Sequence, residues 1–509
     1  MKNKQLTLVV VSLLVVVLSV SLAYFTTQII GKGKDVSVTS TNLQIVFTDT
    51  DGEIAGADIE PGWQKTKTFT VQNNSKSEYK YNIVIKDLLN TFVTNGYLQY
   101  KITSTNNGYN MTEFKDIPKS SAPKDKVLAY SVSIPVGVTQ SYTIEFKYAN
   151  DESVDQSDDM GRKLSGTLFI TEGTEEPVTL LSQILKDNPT RSTRSNNNNG
   201  TNDFATPLTT TTTGTLFTST ESITGITDSP KEVYYYAGNA TNNWVKFANL
   251  YWRIIRTNHD GSIRLLYVGT SHDTTTGNIG TSAFNTEIDS PKYLGYKYGE
   301  DTSLDTIRNN TTDSTIKTFI DSWYQNNLTD YTKYLSTSAV YCNDRSLGTG
   351  QTYSASSKFN FASYYRMDYD TDGASSNPSY NCTDIRDAFS VDNTSAKLDY
   401  PISLMTADEI AFAGGVAYQT MSTPYAWFIS NSTGSQVSTY WWSLSPSGWS
   451  DGYAYVWYWF SVDASLDDID VGFTNAVRPA ISLKSCIKYS TGDGTSESPY
   501  EIVETSSGC

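Results

Sequence analysis

The chain has 509 residues, more than one ordinary domain holds, so two or three folded units joined by connectors are expected. Apolar residues make up 38% and charged residues 18%, and the rest is dominated by Thr, Ser, Asn, Tyr and Gly, which suits β-rich exported architecture. A net charge of −16 argues against nucleic acid as a partner, and two His (His259, His272) leave little room for imidazole catalysis or a multi-His metal site.

Residues 1–30 read as a targeting segment. Lys2 and Lys4 precede an apolar run from Leu6 to Phe25, and its roughly 20 residues match the hydrocarbon thickness of a bilayer. The flanking lysines put the N-terminus in the cytoplasm and the rest outside. Ser21-Leu22-Ala23 also fits a signal-peptidase site, so both a transmembrane anchor and a cleaved signal helix are open. The expected location is accordingly the cell membrane with the C-terminal part outside, or secretion. Thr505 to Cys509 carry no sorting motif or hydrophobic tail, so no second anchor is expected.

Residues 35–172 alternate apolar and polar in seven or eight short runs, among them VSVTSTNLQIVFTD, YKYNIVIKDL and SYTIEFKYA. Turns rich in Asn, Gly, Asp and Pro, such as Glu60-Pro61-Gly62, separate them, which predicts an antiparallel β-sandwich. Ala23-Tyr24-Phe25, the strand Asn42 to Ile45, the Pro-Gly turn and Phe69 to Asn73 resemble the biofilm-fibre and camelysin-type proteins of Gram-positive bacteria. That resemblance implies surface assembly, with self-association through this domain as one partner expectation. Some relatives are described as metalloproteases, but residues 35–172 contain no His and the chain has no H-E-x-x-H. A stalk is the simpler expectation.

Residues 175–228 read as a disordered linker, because Asn196 to Asn199 and Thr209 to Thr213 cannot build a core. Only Leu180 to Leu185 suggests a short helical turn.

Residues 229–503 form the second exported domain. Tyr251 to Arg256 and Ser262 to Val268 flank Asn258-His259-Asp260-Gly261, a hairpin that places His259 in a turn. Ile316, Phe319, Ile320, Trp323 and Tyr324 repeat at helical spacing, predicting a helix from Asp313 to about Asn326 with Asp313 or Ser314 as cap. Thr406-Ala407-Asp408-Glu409 is a capping box whose helix stops at Gly414-Gly415. In an exported chain Cys342 and Cys382 can form one disulfide and Cys486 and Cys509 a second; unpaired thiols are the alternative, and the connectivity stays open. Asp368, Asp370 and Asp372 form D-x-D-x-D-G with Gly373, an acidic turn with calcium as the one candidate cofactor. An EF-hand would need Glu where Ser379 stands, leaving Asp384 or Asp387 to substitute.

The order of these motifs, with Tyr440-Trp441-Trp442-Ser443-Leu444-Ser445-Pro446 and Val477-Arg478-Pro479-Ala480, resembles the C-type-lectin-like and formylglycine-generating-enzyme-like fold group of exported Gram-positive proteins. The resemblance implies an α+β lectin-like fold in which Val477, Arg478 and Pro479 enter a late core strand and Arg478 pairs internally. Formylglycine-generating enzymes use paired cysteines, and the stretch Tyr440 to Leu483 has none, so no enzyme activity is expected.

That stretch holds five of the chain's ten Trp among alternating Tyr, Phe, Asp and Ser, as a recognition surface would. The fold group includes targets of diversity-generating retroelements, whose varied codons never encode Glu, Lys, Gln, Met or Trp. Between Trp449 and Asn475 the chain has no Glu, Lys, Gln or Met. Trp449, Trp457 and Trp459 would then be scaffold. The ligand-binding candidates are Asp451, Tyr453, Tyr455, Tyr458, Phe460, Asp463, Asp467, Asp468, Asp470, Phe473 and Asn475, with Ser465 a further candidate for variation, and many of them are expected on one face. The expected partner is a protein or glycan on another surface; the competing expectation is a subunit or decoration of an extracellular fibre.

Overall fold

A computed structural model describes residues 36–40, 43–49, 59–94, 96–195, 202–367, 376–437, 440–505 and 508–509. The chain divides into two units, the first ending at Glu176 and the second running from Pro177 to Cys509. Among the described residues no helix is long and apolar enough to cross a membrane; the segment 1–30 lies outside them.

The first unit is built from two antiparallel sheets. One runs in the order Val36–Ser40, Leu43–Asp49, Gln64–Asn73, Thr139–Tyr148, Leu98–Ser104, Lys115–Asp116; the other is Ser120–Ile134, Tyr79–Asn90, Leu164–Glu172. The period-two pattern is what creates an inside. Along Thr139–Tyr148, Gln140, Tyr142, Ile144, Phe146 and Tyr148 are buried, while Ser141, Glu145 and Lys147 face out. They meet Ile83, Ile85 and Leu168 of the second sheet in one core, each apolar side chain stabilising by about 1.5–3 kcal/mol. Buried Gln140 is tolerated because it is bonded. Its Oε1 accepts from Tyr81 Oη at 2.7 Å and its Nε2 donates to the Ser133 carbonyl at 2.9 Å.

The second unit begins about fifty residues earlier than its composition suggested, because most of the expected linker 175–228 is folded. Leu180–Asp187 is a helix capped by Thr179, and Leu180 and Ile184 are buried in the main core. Leu216–Glu221 pairs along its whole length with Lys231–Tyr236. The tract reads as low in complexity, yet Leu180, Ile184, Phe204, Leu216 and Phe217 each find a core, and the intervening Thr suits a strand. The Asn196–Asn199 run lies outside the described residues.

The larger sheet of this unit centres on the hairpin Leu250–Thr257 and Ile263–Gly269, turned at Gly261 with φ +75°. Ile263–Gly269 then pairs with Pro479–Leu483, and that with Ile402–Leu404. The expected helix spans Thr315–Asn327 with Ser314 as cap, and the capping box starts a helix at Ala407–Ala413 that ends at Gly414 with φ +121°. A smaller sheet runs in the order Thr281–Ser282, Asn475–Ala476, Trp441–Ser450, Tyr453–Phe460, Ser465–Asp470. Two disulfides, Cys342–Cys382 and Cys486–Cys509, close the unit.

Candidate functional site

The smaller sheet carries the aromatic stretch. Its tryptophans are scaffold: Trp441, Trp442, Trp457 and Trp459 are fully buried and Trp449 nearly so. Arg478 is also internal. Its Nη1 donates to the Phe428 carbonyl at 2.6 Å and its guanidinium lies 5.0 Å over the Trp441 ring, while burial pulls its pKa down to about 9.

Asp451 and Gly452 form the turn between the first two strands, both at positive φ (+54° and +83°), so the Asp-Gly pair answers to hairpin geometry. Beyond that turn the register separates the candidates onto two faces rather than one. Tyr455 opposes Asp470 and Trp457 opposes Asp468, whereas Tyr458 opposes Asp467 and Phe460 opposes Ser465. Paired residues share a face and successive residues alternate, so Tyr453, Tyr455, Asp468 and Asp470 lie on one side and Tyr458, Phe460, Ser465 and Asp467 on the other.

On the first side Tyr418, from outside the stretch, caps Trp457 with ring centroids 5.9 Å apart. Its Oη donates to Asp468 Oδ1 at 3.0 Å, and Ser447 Oγ donates to the other carboxylate oxygen at 2.5 Å. Tyr418 holds φ at +55°, a conformation costly for a bulky residue and one that tends to mark functional positions. On the second side Tyr440 stacks on Phe460 at 5.3 Å and approaches Tyr458 at 6.3 Å. Tyr458 is therefore buried between Tyr440, Trp442 and Phe460, and Ser465 and Asn475 are buried too.

Electrostatically the stretch is one-signed. From Tyr440 to Val477 it has five Asp and no Lys, Arg or His. Burial, then the Asp468 and Asp463 carboxylates, push Asp467 up to about 6. Burial and the Asp467 carboxylate also hold the Tyr458 phenol above its ordinary value.

A cleft of about 560 Å³ adjoins the far end of the sheet, walled by Asn285, Glu287, Tyr298, Asp313, Thr318 and Phe319. No local motif marks it, since its walls come from separate segments. The turn Gly472–Thr474, with Phe473 exposed, is anchored to the same wall: Asn285 N donates to the Val471 carbonyl at 3.0 Å, and Asn475 pairs with Ser282.

Asp368, Asp370 and Asp372 lie outside the described residues. The carboxylates that would complete a calcium loop are otherwise engaged. Asp384 pairs with Arg386 and Arg308 at 2.7 and 3.2 Å, and Asp387 with Arg345 and Arg308 at 2.7 and 2.9 Å. A second acidic group, Asp313, Asp321 and Asp399, has its cation built in: Lys317 Nζ lies 3.1, 2.5 and 2.8 Å from the three.

Comparison with protein families, curated proteins and solved structures returns no match for this chain, so both resemblances rest on their sequence motifs.

Proposed function

We propose that this is an exported, surface-displayed binding protein. Its first unit acts as a stalk, and its second, lectin-like unit meets a protein or glycan on another surface through the sheet Trp441–Asp470 and the loops at its edge. One observation carries the reading. Among the described residues of the second unit six large hydrophobic side chains are exposed, and four belong to this sheet or pack on it: Tyr418, Tyr453, Val462 and Phe473, at 46, 42, 71 and 53%. Exposed apolar groups gathered with half-buried carboxylates mark an interaction surface better than scattered ones do. Two disulfides fit an oxidising compartment. The absence of Lys, Arg and His from Tyr440 to Val477 favours a partner with a basic patch.

The proposal includes variation between strains at the solvent-facing positions Asp451, Tyr453, Asp463 and Phe473. Sequencing beside the gene checks this: an adenine-rich near-copy of these codons supports it, and no such copy removes it. Binding itself is tested by probing glycan arrays and bacterial and host cell surfaces with the full-length protein. Substituting Tyr453, Val462 and Phe473 by Ser should abolish capture without unfolding the protein, because all three side chains are exposed. Capture unchanged in that variant would show that another surface binds.

A further inference from the structure

The cleft beside the sheet has chemistry of its own. We infer that it is a binding site for a neutral pyranose unit, formed by Asn285, Glu287, Tyr298, Asp313, Thr318 and Phe319. Its volume of about 560 Å³ falls in the range of small-molecule sites, about 300–1,000 Å³. The wall chemistry narrows the class. Two aromatic rings supply flat apolar surface of the kind that covers the C–H face of a sugar. Asn285 is buried with its amide bonded to the Tyr293 carbonyl and the Thr315 hydroxyl, so it shapes the wall; the exposed Glu287 carboxylate and the Thr318 hydroxyl, whose own proton goes to the Ser314 carbonyl, accept from ring hydroxyls.

Charge excludes the main rivals. No Lys, Arg or His lines the cleft, so a phosphate or sulfate would meet only carboxylates and dipoles. A cationic ligand is disfavoured as well, because Asp313 already carries Lys297 at 3.0 Å and Lys317 at 3.1 Å. Glu287 is thus left as the one carboxylate of the wall without an ion pair in the structure, an exposed hydrogen-bond acceptor. The hydroxyl-rich wall does not suit a wholly apolar ligand.

Two features next to the wall remain unexplained by packing alone. Asn475 is 6% exposed and its Nδ2 has no hydrogen-bond partner. It is the register partner of Ser282, a cleft residue, so the two side chains stand on the same face. A buried amide left unpaired is costly unless something supplies the acceptor. Phe473, 53% exposed, sits in the turn tied to this wall and extends the apolar surface available to a longer saccharide. The cleft walls include none of Tyr418, Tyr453, Asp468 or Asp470, while Phe473 borders both surfaces.

The test titrates the full-length protein with glucose, galactose, mannose and N-acetylglucosamine, with sialic acid as the anionic comparison, by saturation-transfer NMR. At least one neutral sugar should bind, with Kd on the order of millimolar, and sialic acid should not. Phe319→Ala should weaken binding at least tenfold. Because Phe319 also leans on the core, Glu287→Ala and Thr318→Ala, both at exposed positions, serve as variants that keep the fold, and each should weaken binding about fivefold. Tyr453→Ser should leave the titration unchanged. No transfer from any of the four sugars, binding of sialic acid, or binding that survives both Glu287→Ala and Thr318→Ala overturns the assignment.

Discussion

Tyr418 and Asp468 are joined across the candidate face, the phenol donating to the carboxylate at 3.0 Å from a backbone held at φ +55°. Tyr418 N also donates to the Leu466 carbonyl at 2.9 Å, so this loop residue is fixed to the strand Ser465–Asp470 at both ends. The contact lays a loop over the buried Trp457 and sets the position of Asp468.

Removing the hydroxyl alone should be felt. Tyr418→Phe keeps the ring on Trp457 but removes a donor to a charged acceptor, and should destabilise the second unit by about 1.5–3 kcal/mol. Urea unfolding followed by tryptophan fluorescence checks this, since nine of the ten Trp lie in that unit. An unchanged midpoint would mean that water replaces the bond.

Asp467 gives the face a pH dependence whose sign is fixed by its raised pKa. The native carboxyl, at about 6, binds its proton more tightly than the unfolded one near 4, so stability falls as pH rises through that interval. Burial beside Tyr458 is the largest cause, and the Asp468 and Asp463 carboxylates add to it. Asp467→Asn should therefore raise Tm at pH 7 and leave it unchanged near pH 4. Equal Tm values at both pH values would contradict the assignment.

A buried network ties the expected linker to the core. Glu409 Oε1 accepts from Arg256 Nε at 2.7 Å and Arg264 Nη1 at 2.5 Å, while Arg256 also meets Glu221 at 2.8 Å. Glu409→Ala should cost about 3–5 kcal/mol by leaving buried Arg264 without a carboxylate and Arg256 with Glu221 alone. Burial alone would raise Glu221, but Arg256 and His259 hold it down to about 2. Its contribution is thus complete above about pH 4.5 and lost as pH falls toward 2, which an acid-unfolding series on Glu221→Gln would remove.

The disulfides should differ in worth. Cys342–Cys382 closes 40 residues and Cys486–Cys509 closes 23, so loop entropy assigns them about 4 and about 3 kcal/mol. Replacing each pair by Ser and comparing denaturation midpoints measures the order. A larger loss from the tail bridge would show that the C-terminus does more than its loop length implies.

Much of this architecture was legible in residue order. Strand alternation foretold the two-sheet first unit, Thr406 and Glu409 marked their helix start, and Trp449, Trp457 and Trp459 were separable as scaffold because the varied codons of the resembled fold group never encode Trp. Three things were not legible. The folded part of 175–228 escaped notice because its core residues are few and widely spaced. The division of the Tyr, Phe and Asp candidates between two faces depends on which strand pairs with which, information that a single strand does not carry. Tyr418 comes from a loop and the cleft walls from separate segments and a helix, and nothing in Glu287, Tyr298 or Phe319 taken singly points to a common wall.

The central claim is that the Trp441–Asp470 sheet and its edge loops bind a partner on another surface. Its most direct measurement is capture of cells by the full-length protein, read by flow cytometry for the wild type, for Tyr453→Ser with Phe473→Ser, and for Asp468→Asn with Asp470→Asn, across increasing salt. The account predicts at least tenfold weaker capture by either double variant, and a salt dependence that flattens when the two carboxylates are gone. Capture equal to wild type in both variants at every salt concentration would contradict it.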